Sequence, residues 1–259
     1  MRIDLLLVER GLAASRNRAQ ELIAGGRVYM VSRGQRTLVA KPSQKVNPRD
    51  IESLEIVDDP GSGSYVSRGG LKMKGALDRT GLQVRGFRVL DVGISTGGFS
   101  DCLLQAGAVS VIGVDVGHGQ LAEKLRNDPR VRLVEGVNAR DLSNVPLVKL
   151  NSGHNFDLVV IDVSFISLSL VLPEAIRYLK ESAPVLALVK PQFEVGREGL
   201  GKNGIVKDPA RFREVEEKIR RVCAEAGLSV EDYFDSSIEG SDGNKEYFVF
   251  ARPSQLQLV

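Results

Sequence analysis

Residues Arg88 to Phe99 read RVLDVGISTGGF. The apolar pair Val89-Leu90 closes on Asp91-Val92-Gly93. A small-residue turn, Ile94-Ser95-Thr96, follows, and Gly97-Gly98 leads into an amphipathic segment from Phe99 to Ala106. Strand, tight glycine turn and helix, in that order, let a backbone come close to a nucleotide-like ligand. About twenty residues on, a second apolar run from Val109 to Val114 ends in Asp115. An acid at the tip of the second strand is placed to accept hydrogen bonds from ribose hydroxyls.

The glycine spacing chooses among ligands. A dinucleotide fold wants G-x-G-x-x-G, so that a helix N-terminus meets a pyrophosphate. Here the pattern is Asp91-x-Gly93-x-x-x-Gly97-Gly98, without the middle glycine. That resembles the first motif of S-adenosylmethionine (SAM) methyltransferases, whose cofactor has no phosphate to cradle. The resemblance implies cofactor contacts from Asp91, Gly93, Ser95, Thr96, Gly97, Gly98 and Phe99, with Asp115 on the ribose. An ordinary βα turn that binds nothing is the competing reading, and the position of Asp115 counts against it.

With 259 residues the chain is long enough for one full α/β domain plus a small module. A hydrophobic share of 42% and a charged share of 26% are those of a globular chain, not a disordered one. Net charge is only +2, so a polyanion partner must be read from local patches. Apolar runs fall far short of a membrane span, and the start Met1-Arg2-Ile3-Asp4 is unlike a secretory signal. Cys102 and Cys223 sit in helical patterns as small apolar groups. With His118 and His154 they form no zinc spacing, so no metal is expected, and the setting is expected to be reducing and cytoplasmic.

Residues Met1 to about Val57 form a unit of their own. Helical spacing runs over Arg2 to Arg10, and Ser15 is placed to cap a second helix, Arg16 to Ala24, ending at Gly25-Gly26. Short strand-like pieces follow at Arg27 to Val31, Thr37 to Ala40 and Ile51 to Val57. Through Asp50 the bases Arg2, Arg10, Arg16, Arg18, Arg27, Arg33, Arg36, Lys41, Lys45 and Arg49 face only Asp4, Glu9, Glu21 and Asp50. Arg16, Asn17, Arg18 and Gln20 crowd the start of the second helix, where the dipole also favours phosphate. Such a footprint suits RNA, although a merely solvated basic face has the same charge. The segment Ala14 to Val28, ASRNRAQELIAGGRV, resembles the S4 RNA-binding domain of ribosomal protein S4, pseudouridine synthases and tyrosyl-tRNA synthetases. The RNA contacts expected from this unit are Arg2, Arg16, Asn17, Arg18, Arg27 and Lys41.

Asp58 to Ser64, DDPGSGS, reads as a linker, so the domains are expected at 1–57 and 65–259. Tyr65 to Thr80 is a basic turn, with Arg68 a further candidate for RNA, leading into a helix that carries Lys72 and Lys74. Strands are then expected at Val131 to Val134, Asp157 to Asp162, Pro184 to Lys190, Leu228 to Ser237 and Lys245 to Ala251. Helices are expected at Leu121 to Asn127, Leu168 to Lys180 and Pro209 to Ala226. The alternation calls for an α/β fold with a mostly parallel sheet between helices. Ending on two adjacent strands, the last inserted antiparallel, is the methyltransferase variant of that plan.

Charged residues stand at the ends of apolar strands: Asp162 after LVVI, Lys190 after LALV and Glu246 ahead of YFVFA. If the last strand runs antiparallel, Glu246 joins the others at one end of the sheet, and Lys72 completes a cluster. Methyl transfer to a ribose hydroxyl needs in-line alignment and removal of a proton. Lys190 is the expected general base if burial and the Lys72 cation pull its pKa down from about 10.4. Lys72 would tune it and contact substrate phosphate, while Asp162 and Glu246 orient the two amines.

The set Lys72, Asp162, Lys190, Glu246 resembles the K-D-K-E tetrad of FtsJ-type 2′-O-ribose methyltransferases. With the S4-like start, the chain resembles the TlyA family, also known as hemolysin A. The matching stretches are YVSRGGLK, VLDVGISTGGF, DVSFISL, KPQFE, Gly204 to Pro209 and GNKEYF. The resemblance implies a SAM-dependent 2′-O-methyltransferase acting on cytidine in ribosomal RNA or ribosomal subunits. A monomer or weak homo-oligomer is expected. Asn138 falls where such enzymes read the adenine edge. Phe193 to Asp208, with Arg197, Lys202 and Lys207, is a Gly-rich loop expected to touch RNA. Ser164-Phe165 is expected to shape the pocket for a flipped nucleotide. Competing readings are a non-catalytic RNA-binding or ribosome-assembly protein, a pore-forming hemolysin and a Rossmann oxidoreductase. The first is opposed by the intact motif and tetrad, the second by the lack of an amphipathic membrane helix and the third by the glycine spacing.

Overall fold

The computed structural model describes residues 1–13, 15–24, 27–39, 41–57, 65–201, 204–240 and 243–254, and the backbone alone of 17, 21, 24 and 197. The chain divides into two compact units, Met1–Arg68 and Gly69–Val259. The expected linker, 58–64, lies outside the described residues.

The first unit packs α1 (Ile3–Glu9) and α2 (Arg16–Ala24) with a three-stranded antiparallel sheet in the order β2-β1-β3. The strands are β1 (Val28–Ser32), β2 (Gln35–Leu38) and β3 (Ser53–Ile56). Ser15 caps α2 by accepting from the Arg18 N–H at 3.2 Å. Ile3, Leu6 and Leu7 of α1 meet Ala19, Leu22 and Ile23 of α2 over Val28 and Leu54. The second strand begins earlier than the Thr37 expected. Arg33 and Gly34 both take positive φ, 51° and 70°, and join Ser32 to Gln35 as a two-residue hairpin turn. Ala40, expected to end that strand, and the glycines expected to end α2 lie outside the described residues.

The second unit is a seven-stranded sheet in the order β6-β5-β4-β7-β8-β10-β9. Its strands are β4 (Arg88–Val92), β5 (Ser110–Asp115), β6 (Val131–Glu135), β7 (Leu158–Ile161), β8 (Val185–Val189), β9 (Leu228–Asp235) and β10 (Tyr247–Pro253). β10 alone runs against both neighbours, inserted between β8 and β9. The helices are α3 (Gly69–Thr80), α4 (Gly98–Gln105), the short α5 (Glu123–Arg126), α6 (Leu147–Leu150) and α7 (Leu172–Ala175), and the long α8 (Pro209–Glu225). Asp208 caps α8 through the Ala210 N–H at 2.9 Å, and Pro209, which has no N–H to lose, starts it. β7 and β8 are buried throughout, as strands covered on both faces require.

Two expected helices are shorter in the structure. Of Leu121 to Asn127, only Glu123–Arg126 is α-helical. Leu168 to Lys180 is a 3-10 turn (Leu168–Leu170), then α7, then a second 3-10 turn (Ile176–Tyr178). Pro173 lacks the N–H that a continuous helix would use, so it starts a new turn at α7.

The chain winds from β4 through β5 to β6 in one direction and from β7 to β8 in the other. The crevice lies between the carboxyl ends of β4 and β7, where open α/β sheets bind ligands. Among the described residues no helix is long and apolar enough to cross a membrane, and no cluster of metal-ligating side chains occurs.

Candidate active site

The turn after β4 is held open by backbone geometry. Gly93 and Gly97 take φ of 86° and 92°, and Ser95 between them takes 47°. The N–H groups of Gly93 and Ile94 bind the Val114 carbonyl of β5. Asp115 then ties the turn down. Its Oδ2 accepts from the Ser95 N–H at 2.8 Å and its Oδ1 from the Gly117 N–H at 2.7 Å. Each oxygen keeps a second lone pair for a ligand hydroxyl. Ser95 Oγ donates to Gln120 Oε1 at 3.0 Å, and the Thr96 carbonyl accepts from the Ala122 N–H. Gly97 backs onto Leu121 and Leu125, where any side chain would collide. Gly98 starts α4. Phe99 is buried and stacks on Phe248, 5.9 Å between ring centroids, so its ring packs the core beneath the turn.

Asp91 is the polar group under this turn. It is 1% exposed, and its Oδ2 accepts from Ser100 Oγ at 2.6 Å. Its Oδ1 is buried and finds no hydrogen-bond partner among the described residues. Burial pushes its pKa up to about 7, against the Ser100 hydrogen bond and with the charges of Asp162 and Asp115 adding to the rise. An orphaned carboxylate oxygen under a glycine turn suits a ligand carrying an ammonium or N–H group. A SAM molecule fits that donor set: its amino acid end brings the ammonium and its ribose the hydroxyls for Asp115. Asn138 is exposed, its Oδ1 accepting from the Arg140 N–H at 3.1 Å in a local turn beyond β6.

The three charged residues at the strand ends and Lys72 of α3 come together. Lys190 follows β8, and its Nζ lies 2.5 Å from Asp162 Oδ1 and donates to Ser164 Oγ at 3.0 Å. Tyr247 pairs with Val189 across the antiparallel β10–β8 ladder, which brings Glu246 to the same end. Lys72, on the buried side of α3, meets Glu246 Oε2 at 2.5 Å. The pairs share one field. Burial works to raise Asp162, but the charges of Lys190 and Lys72 and the Lys190 hydrogen bond leave it below the ordinary carboxylate value. Burial raises Glu246 despite both lysines, and the Asp162 charge adds to the rise. This cluster abuts the glycine turn, since Gly93 packs on the backbone carbonyl of Asp162.

Phe165, three residues beyond Asp162, has φ of 63° and is 89% exposed, with its ring 5.2 Å from that of Phe193. A bulky residue at positive φ is uncommon, and here it projects an aromatic face into solvent beside the charged cluster.

In the first unit Arg2, Arg16 and Arg27 among the expected basic side chains have defined partners. Asp4 is fully buried. It accepts from Arg2 Nε and Nη2 at 3.0 and 2.8 Å, from Arg16 Nε at 3.1 Å and from Gln20 Nε2 at 3.0 Å. Arg27 Nε donates to the Val57 carbonyl at 3.1 Å. Arg18 and Arg68 are half-buried and Lys41 is exposed. Asn17 lies on α2 and Arg197 opens a 3-10 turn, their side chains lying outside the described set, as does all of Lys202. Sequence reasoning missed Asp4 as the hub of this cluster, though a lone acid at the head of a basic stretch was the available signal. It also missed Glu194 and Lys218, whose pairing no local pattern reveals.

Residues 65–252 match the model of the FtsJ-like methyltransferases, and residues 1–30 match the S4 domain. The chain is 44% identical over 252 residues to the 16S/23S rRNA (cytidine-2′-O)-methyltransferase TlyA of Mycobacterium tuberculosis, covering 97% of this chain and 89% of that one. It is 34% identical to the 23S rRNA (cytidine-2′-O)-methyltransferase TlyA of Campylobacter jejuni, covering 96% and 98%. A solved structure from Streptococcus thermophilus, described as a hemolysin, superposes with a TM-score of 0.72 at 39% identity, covering 98% of this chain and 89% of that one. With a seven-stranded sheet of the methyltransferase type and its tetrad positions filled, the chain belongs to the FtsJ-like methyltransferases, in the TlyA family that joins such a domain to an S4 domain.

Proposed function

We propose that this protein transfers a methyl group from SAM to the ribose 2′-oxygen of a cytidine in ribosomal RNA, with Lys190 as the general base. The convergence of Lys72, Asp162, Lys190 and Glu246 beside the Gly93 turn carries this reading. Bound SAM supplies a methyl group made electrophilic by the positive sulfur that carries it. Asp91, the Gly93 to Gly98 turn and Asp115 hold the cofactor. Lys190 takes the hydroxyl proton as the oxygen attacks, while Asp162 and Ser164 fix the direction of its amine. Lys72, held by Glu246, places a second positive charge where the ribose phosphate sits. Phe165 offers its face to the base of the flipped nucleotide, and stacking of that kind is how single bases are held outside a helix.

The first unit delivers the RNA through its basic helix start, and Arg197, Lys202 and Lys207 act from the loop after Lys190. The substrate is an rRNA segment or a ribosomal subunit, acted on by a monomer or weak homo-oligomer in the cytoplasm.

The test is incubation of the protein and SAM with ribosomal subunits, followed by mapping of alkali-resistant ribose positions. A new resistant cytidine is expected with the native chain and none with Lys190→Ala, whose SAM binding stays near native. Full turnover by Lys190→Ala would refute the base assignment, and no resistant position on either subunit would refute the activity.

A further inference from the structure

Beyond the tetrad, a buried carboxylate joins the two loops that carry Asp162 and Lys190. The loop after β7 holds Asp162 and Ser164, the contacts of Lys190. The turn after β8 begins at Lys190 and tightens at once: the Phe193 N–H binds the Lys190 carbonyl, and the Glu194 and Val195 N–H groups bind that of Pro191. Glu194 therefore sits on the same short hydrogen-bonded turn as Lys190. Its side chain is 2% exposed and is filled by donors from elsewhere. Oε1 accepts from the Leu168 N–H at 2.7 Å, and Oε2 from Ser167 Oγ at 2.6 Å and Lys218 Nζ at 2.7 Å. Lys218, on α8, also donates to Ser167 Oγ and to the Glu194 carbonyl, both at 3.2 Å.

The two loops are thus cross-linked twice, by Lys190 to Asp162 and Ser164, and by Glu194 to Ser167 and Leu168. Between the links lies Phe165, with its positive φ. A carboxylate buried among three donors, one of them charged, holds its geometry tightly. We propose that Glu194, locked by Lys218, is a positioning residue that sets the aim of the Lys190 amine by fixing the β8 turn to the β7 loop. It touches neither cofactor nor ribose. The proposal rests on the reading of Lys190 as base.

The test uses the full chain on its ribosomal substrate. Glu194→Ala is expected to lower kcat by about 10- to 100-fold with KM for RNA and the Kd for SAM within about twofold of native, because small misplacements of a reacting group are that costly. Glu194→Gln keeps one acceptor, for the Leu168 N–H, and its amide N–H can donate to Ser167 Oγ, so it should recover part of that loss while losing the acceptor for Lys218. Lys218→Met removes the lock from the other side and should lower kcat in the same sense. It also carries the test if Glu194→Ala does not fold. Glu194→Ala added to Lys190→Ala should cost nothing more. Native kcat in both Glu194→Ala and Lys218→Met, beside an inactive Lys190→Ala, would overturn the positioning role alone. Equal losses in kcat and SAM affinity, without rescue by glutamine, would reduce Glu194 to a fold residue and overturn it too. Turnover by Lys190→Ala would instead overturn the base on which the proposal stands.

Discussion

Gly93 lies directly against the backbone carbonyl of Asp162, so that a Cβ at Gly93 would overlap both the oxygen and its carbon. The contact joins the turn proposed to cradle the cofactor to the residue paired with the proposed base. The spacing between that turn and the Asp162 loop is thereby set by main chain, and the Asp162 and Ser164 side chains then fix the Lys190 amine.

Gly93→Ala should consequently fail twice, through its φ of 86° and through the clash. We expect a loss of stability above about 2 kcal/mol and no measurable heat on SAM titration. Gly81 provides the control: its φ is 67° but a Cβ there meets nothing within 4 Å. Gly81→Ala should cost only about 1 kcal/mol, the backbone term alone, and leave SAM binding intact. Equal effects from the two changes would show that steric contact with Asp162 is not what matters.

Asp91, proposed to meet the cofactor's ammonium group, should make cofactor binding pH-dependent. Its pKa near 7 in the folded protein stands above the ordinary carboxylate value, because burial disfavours the charge. Between about pH 4 and 7 the folded state therefore holds a proton that the unfolded state has released, and stability from this group declines as pH rises through that window. A cationic ligand at Oδ1 favours the charged form and expels the proton. SAM affinity should accordingly rise between about pH 5.5 and 7, by no more than about tenfold per pH unit, with proton release measurable by calorimetry in buffers of different ionisation heat. Asp91→Asn should bind more weakly, with a flat profile and no proton release. A flat profile in the native chain would place Asp91 away from the ligand's positive charge.

Asp4 organises the basic face that is proposed to meet RNA. Its hydrogen bonds with Arg2, then those with Gln20 and Arg16, hold its carboxyl well below the usual range, against the effect of burial. A lowered carboxyl stabilises the fold above the ordinary carboxylate pKa and loses that contribution as pH falls through its own. Asp4→Ala leaves two partly exposed guanidinium groups without their buried counter-charge and should loosen the packing of α1 on α2. Hydrogen exchange in α1 and α2 of the full chain should speed up, while the second unit keeps its protection. RNA affinity should fall even though net positive charge has risen, because Arg2 and Arg16 lose their fixed directions. Tighter RNA binding by the variant would show that charge alone governs this face.

The parts legible in the sequence were those in which local pattern and final position coincide. Apolar runs ending in Asp91, Asp115, Asp162 and Lys190 are strands whose tips face one crevice, since parallel strands put all their carboxyl ends on one edge. Glu246 needed one further inference, the reversed direction of β10, and the ladder to β8 has that direction. Where reading stopped short, long-range partners decide the local shape. The segment from Leu168 to Lys180 has helical periodicity, yet Glu194 takes its first N–H and Pro173 restarts the turn. Arg33 at φ 51° gives no sign of a tight hairpin by residue type, because glycine or asparagine is usual there. Glu194 and Lys218 meet only once β8 and α8 have packed.

Phe165 separates stability from function most cleanly. Its φ of 63° costs about 1 kcal/mol for a residue with a side chain, and its ring, 89% exposed, recovers little by burial. Glycine is free at that φ, so Phe165→Gly should leave the unfolding midpoint equal to or above native. The same change removes the face proposed to stack on the base, which is worth about 1–3 kcal/mol per base in single-strand recognition. Turnover on ribosomal substrate should therefore fall by about tenfold or more, with SAM affinity unchanged. Phe165→Tyr keeps both face and backbone demand and should retain most activity. A Phe165→Gly protein that is stable and fully active would remove the stacking role and leave the strained backbone at this position without a function.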